Sequence, residues 1–181
     1  LLPDVVLIPY DNHSTRVNLS AGSEMQVARG SIVTEGDVTR QATLILPGGV
    51  QAEMEMADGT TRPISDLTIR ATEFTVGDRG PQAMPAVLPP NVGYTYCVEY
   101  SVDEAVAVGA KSVKFTRPVF HYLENFIDAP VGGIVPMGYY DYDQAAWVPS
   151  ENGRVIKIMA IVDGKALLDV EGKGWVADDA D

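Results

Sequence analysis

The acidic end of the chain holds the residues whose types and spacing come closest to chemistry. Asp169-Val170-Glu171-Gly172-Lys173-Gly174 has the outline of an Asp-x-Asp-x-Asp-Gly calcium loop, with Asp169, Glu171 and Gly174 at positions one, three and six and Asp178 as a further carboxylate. Such loops alternate oxygen donors so that carboxylates converge on one hard cation, with Gly at the sharp turn. Lys173, however, puts an ammonium where the third carboxylate belongs. No cofactor is required by anything in the sequence. Calcium, through Asp169, Glu171 and Asp178, is the one cation it suits, and a solvated acidic tail is the competing reading.

A second cluster is aromatic. Tyr139, Tyr140, Tyr142 and Trp147 lie close together, with Asp141 and Asp143 between them. A sugar-binding module stacks such rings on a pyranose face while carboxylates take the hydroxyls. Tyr140, Asp141 and Trp147 are therefore the candidate ligand residues, with a glycan as their ligand. The other reading is a hairpin held onto a sheet by its rings.

Nucleophilic and metal chemistry find less support. His13 and His121 are the only imidazoles, and no His-x-x-x-His or His-Glu pair is spaced to hold zinc. His121 shares a strand face with Val119 and Leu123, which suits a hydrogen-bonded histidine, and His13 reads as a loop residue. No Gly-x-Ser-x-Gly or equivalent nucleophile turn accompanies them. Cys97 has no basic neighbour to make it a thiolate. Gly77-x-x-Gly80 and Pro47-Gly48-Gly49 lack the Lys and following helix of a phosphate loop and read as turns.

The elements that must position these residues are strands. Tyr94, Tyr96, Val98 and Tyr100 alternate with Thr95, Cys97, Glu99 and Ser101, the pattern of a half-buried strand. Similar runs span Val5 to Ile8, Gln41 to Leu46, Val50 to Met56, Leu67 to Val76, Ser112 to Leu123, Val155 to Val162 and Ala166 to Val170. Asp58-Gly59 and Asp163-Gly164 predict tight hairpins. Pro81 to Val92 predicts an ordered crossing between strands. One short helix fits Ser101 to Gly109, with Ser101 as cap and Gly109 as stop.

Composition bounds the partners. Acidic residues outnumber basic ones 25 to 13 in 181 residues, for a net charge of −12, and the basic ones are scattered. Nucleic acid and anionic membrane are disfavoured, and no run approaches the roughly 18 apolar residues of a membrane span. One cysteine excludes an internal disulfide. Leu1 to Tyr10 lacks the features of a signal peptide, the chain begins without Met, and it stops inside an acidic stretch. The expectation is a fragment whose targeting signals lie elsewhere.

Two sets of segments carry a resemblance. Ala42-Thr43-Leu44-Ile45-Leu46-Pro47-Gly48-Gly49-Val50 and Phe115-Thr116-Arg117-Pro118-Val119 resemble the β-sandwich domain shared by zonula occludens proteins, ankyrins and netrin receptors. Some relatives in that family cut themselves at His-Phe-Ser. Here Phe120-His121-Tyr122 has no Ser or Thr following, so that nucleophile is missing.

The longer set runs from Leu67-Thr68-Ile69-Arg70-Ala71-Thr72-Glu73-Phe74 through Ala83-Met84-Pro85-Ala86, Ser101-Val102-Asp103-Glu104 and Tyr139-Tyr140-Asp141 to Trp147-Val148-Pro149-Ser150-Glu151-Asn152-Gly153-Arg154. Across roughly Gln41 to Val170 it resembles the domain found upstream of the repeats in large bacterial Rhs (YD-repeat) and related secreted proteins. Related proteins often continue into calcium-binding repeats of the thrombospondin type 3 kind. The resemblance implies an extracellular or cell-surface, mostly β module and brings no functional residues with it.

The expected fold is all-β: a two-sheet antiparallel β-sandwich over residues 1–128, C-terminal hairpins over 129–170 that complete it or form a small lobe, and an acidic tail or linker over 171–181. The expected function is non-enzymatic, a spacer or docking module contacting neighbouring domains of its own chain or a protein partner. Carbohydrate-binding and calcium-stabilised adhesion modules are the alternatives.

Overall fold

A computed structural model describes residues 5–86 and 95–177. The chain is all-β, its strands pairing antiparallel throughout, and it divides into two compact units: Leu1–Met84 with Tyr94–Glu124, and Pro85–Gly93 with Asn125–Asp181.

The first unit contains β1 (Thr15–Asn18), β2 (Gln26–Arg29), β3 (Val33–Glu35), β4 (Val38–Arg40), β5 (Thr43–Leu46), β6 (Ala52–Met56), β7 (Thr61–Ile64), β8 (Asp66–Glu73), β9 (Val98–Val102), β10 (Ala110–Phe115) and β11 (Phe120–Tyr122). They form three three-stranded sheets, ordered β1-β8-β9, β10-β6-β7 and β11-β5-β2, and a β3-β4 hairpin. Alternation sets the buried faces. Leu67, Ile69 and Ala71 of β8 point inward, as do Leu44 and Leu46 of β5. Leu67, Ile69, Leu44 and Leu46 make one core with Val17, Leu19, Ala28, Val50, Ala52 and Val102, in which Leu46 and Val50 are completely enclosed. Pro63 lies in β7, an edge strand, where its missing N–H breaks no ladder.

The structure departs from the sequence reading in four places. Val5 to Ile8 is not a strand: Val5 and Leu7 are over 80% exposed, with no neighbouring strand to pair with. Ser112 to Leu123 is two strands in different sheets, because Pro118 cannot donate to a ladder. The helix is shorter, α1 (Asp103–Ala107), and Ser101 does not cap it. Ser101 is buried within β9 opposite Arg70, and Val102 begins the helix without a side-chain cap. The aromatic strand begins at Val98; Tyr94 lies outside the described residues, as does the Pro89-Pro90 part of the crossing, of which Pro81–Ala83 forms a 3-10 turn.

The second unit contains hairpins. β12 (Ile134–Val135) pairs with β15 (Gly153–Arg154), β13 (Gly138–Asp141) with β14 (Ala146–Pro149), and β16 (Lys157–Val162) with β17 (Lys165–Asp169). Asp163 and Gly164 join the last pair with φ of 49° and 75°. Both values fall in the left-handed region that a two-residue hairpin turn requires.

Candidate functional site

Asp169 is buried, and its carboxylate is turned onto the loop that follows. Oδ1 accepts the backbone N–H groups of Gly172 at 2.8 Å, Glu171 at 3.1 Å and Lys173 at 3.3 Å, and Oδ2 accepts that of Gly174 at 2.7 Å. Burial works against the charged form, but these four donors outweigh it and hold the carboxyl below the usual range. Glu171 is ion-paired to Lys173, whose ammonium lies 5.5 Å from the Trp175 ring centre. Among the described residues no three acidic, His or Cys side chains converge as a metal group would require, and Asp178 lies outside them. The described loop does not fit calcium, because its oxygens are spent on backbone donors and on an ammonium. It acts as a clasp: a Cβ on Gly172 would lie 2.4 Å from the Val131 carbonyl oxygen, and one on Gly132 2.7 Å from the Glu171 backbone.

The aromatic cluster is assembled by the β13-β14 register. Tyr140 pairs with Trp147, their ring centres 5.5 Å apart at 66°, and Tyr142 meets Tyr140 at 5.0 Å and 90°. These are edge-to-face contacts in which the rings pack on one another, and no flat platform results. The Trp147 indole N–H donates to the Ala86 carbonyl at 3.2 Å. Asp141 accepts from the backbone of Asp143 and Gln144 and from the Gln144 amide, so it shapes the turn. Tyr140, Asp141 and Trp147 do come together, as elements of hairpin structure.

In the first unit, β11 brings His121 to Tyr100, whose hydroxyl lies 2.5 Å from Nδ1, while Tyr96 stacks on the imidazole at 5.9 Å. Burial lowers the His121 pKa and raises that of Tyr100, so both are neutral at physiological pH and satisfy each other. Burial also pushes the Cys97 thiol up to about 11, with Glu99 and Glu73 adding to it. His13 sits beside Asp11, whose carboxylate takes its backbone N–H.

A cleft of about 310 Å³ opens between the segment Ile8 to Asn12 and β8. Its polar walls are already engaged. Asp11 accepts the Ser31 N–H and hydroxyl, and Thr72 accepts the Asp11 N–H. Glu73 takes Arg40 Nε at 2.7 Å and the Thr75 hydroxyl at 2.6 Å, while Glu35 takes Arg40 Nη2 at 2.6 Å. The cleft is a seam whose polar groups pair with one another, Arg40 and Glu73 as a buried ion pair.

The feature that stands out is β16, which the sequence reading recorded only as a strand. Lys157-Ile158-Met159-Ala160-Ile161-Val162 is exposed along its whole length, with Ile158 at 59%, Ile161 at 72% and Val162 at 50%. A continuous apolar run, without alternation, is the signature of a strand covered on both faces. Here neither face is covered among the described residues, and β16 pairs only with β17. The missing alternation was the signal available in the sequence.

Comparison with known proteins finds no matching family model, no matching curated protein and no matching solved structure.

Proposed function

We propose that this chain is a non-enzymatic interaction module, a spacer or docking domain of a large secreted or cell-surface bacterial protein, and that it docks through the β16-β17 hairpin. The observation that carries this is the exposed apolar strand Lys157–Val162 with an open edge. Strand addition to such an edge gains main-chain hydrogen bonds and buries the side chains at once. Supporting it, the other clusters are committed to holding the fold: Asp169 closes a loop, Tyr140 and Trp147 pack a hairpin, and His121 pairs with Tyr100. The surface and bacterial setting rests on the resemblance, over Gln41 to Val170, to the module upstream of Rhs-type repeats.

Hydrogen exchange tests the docking edge. The β16 amides are expected to exchange fast in the dilute chain and slowly once the partner or native neighbouring domains are joined to it. Fast exchange in every context would overturn the proposal.

A further inference from the structure

We infer that the partner taken up by β16 is a second copy of this chain, paired antiparallel about a two-fold axis at Ala160. The inference rests on the reading of the hairpin as a docking edge. Of the hairpin's two edges, that of β17 is partly occupied, since the Leu168 carbonyl accepts the Ala177 N–H at 2.7 Å. β16 is the edge that remains.

Its sequence is complementary to itself. An antiparallel pair centred on Ala160 places Lys157 opposite Asp163 of the second copy, Ile158 opposite Val162 and Met159 opposite Ile161. Opposite charges thus meet at both ends and apolar side chains meet between them, the arrangement that stabilises cross-strand pairs. The register is also policed. Moving the centre to Ile161 sets Met159 against the Asp163 carboxylate of the other copy, and moving it half a step sets Ile158 against it.

Backbone geometry selects the same register. The two-residue turn closes on Val162 and Lys165, so ladder alternation turns the Ile161 N–H and C=O toward the open edge. Met159 is the extra residue of a bulge and has no partner on β17. Met159 and Ile161 face each other in the two-fold pair, with the Ile161 peptide groups turned to the shared edge. Electrostatics permits the approach despite the net charge of −12. The hairpin carries Lys157 and Lys165, and of its two carboxylates Asp169 is buried among its own N–H donors.

Ala160→Cys tests the axis directly. At the two-fold axis the two thiols lie within disulfide reach, so mild oxidation is expected to give a covalent dimer, while Ala166→Cys on β17 stays unlinked. Equal linking of the two variants, or none, overturns the inference. Sedimentation of the full chain is expected to show a dimer whose self-association weakens about tenfold or more in Lys157→Glu, which sets like charges opposite Asp163. An unchanged circular dichroism melt separates that loss from unfolding. A wild type that is monomeric at every concentration overturns the second-copy partner. Slow exchange of β16 once native neighbours are joined would then leave the docking edge standing, and fast exchange there would remove both.

Discussion

At Asp169 one carboxylate serves four backbone N–H groups of its own loop. Removing it strands those donors in a loop held close at Gly172, where a Cβ would meet the Val131 carbonyl. Asp169→Ala is therefore expected to expose the Glu171 to Gly174 amides to exchange and to shift Trp175 fluorescence, leaving the first unit's melt unchanged. Asp169→Asn should do the same more mildly. The pH dependence has a definite sign. A carboxyl whose folded pKa is depressed contributes stability that is present above its unfolded value of about 3.9 and lost as pH falls through the lower folded value. Acid titration of the clasp, followed by Trp175 emission, should show this loss in the wild type and not in Asp169→Ala. The spacing of Asp169, Glu171 and Gly174 was legible as a loop that gathers oxygens around a turn. What the spacing could not carry was the direction in which those oxygens face. Lys173 was the available hint, since an ammonium in the third position takes Glu171 for itself.

At the scale of elements, legibility followed the strength of local pattern. β5, β6, β8, β16 and β17 were readable because apolar runs and turn residues marked their presence, though their bounds differ by up to three residues, as where the run to Val76 stops at Glu73 in β8. β1 to β4 and β7 were not, since they are three or four residues long and owe their state to ladder partners, distant for Val17 on Leu67 and local for Val33 on Arg40. Val5 to Ile8 is the converse, a good strand sequence without a partner. Ser101 shows the same override: a favourable cap residue drawn into β9 by its pairing with Arg70. The Asp163-Gly164 turn was legible in full and offers the cleanest element test. Gly164 sits at a φ of 75° with open space around it, so Gly164→Ala meets backbone strain and no clash. The expected cost is about 1–2 kcal/mol. It should appear as faster exchange along β16 and β17, with β13 and β14 unaffected.

Across the whole molecule, burial is unequally shared. The first unit has a core with Leu46, Val50 and Leu67 almost wholly enclosed, whereas Val155 is the one buried apolar residue among the described residues of the second. Two-stranded hairpins are marginal in isolation, so the second unit relies on local devices such as the Asp169 clasp and the Tyr140-Trp147 pair, and on whatever covers β16. Stability should therefore be graded along the chain, with local openings far cheaper in one unit than in the other. Native-state hydrogen exchange of the dilute chain is expected to show β13 to β17 opening at denaturant concentrations that leave β5, β6 and β8 protected. Leu46→Ala, which removes a fully enclosed side chain, should cost about 2–5 kcal/mol and lower protection in the first unit. Raising the protein concentration should reverse part of the gradient, because self-association through β16 adds strand partners and buried apolar area to the second unit alone. Protection of β16 that rises with concentration in the wild type and not in Lys157→Glu would tie the weak core of that unit to its interaction edge. A single cooperative opening of both units would break the link.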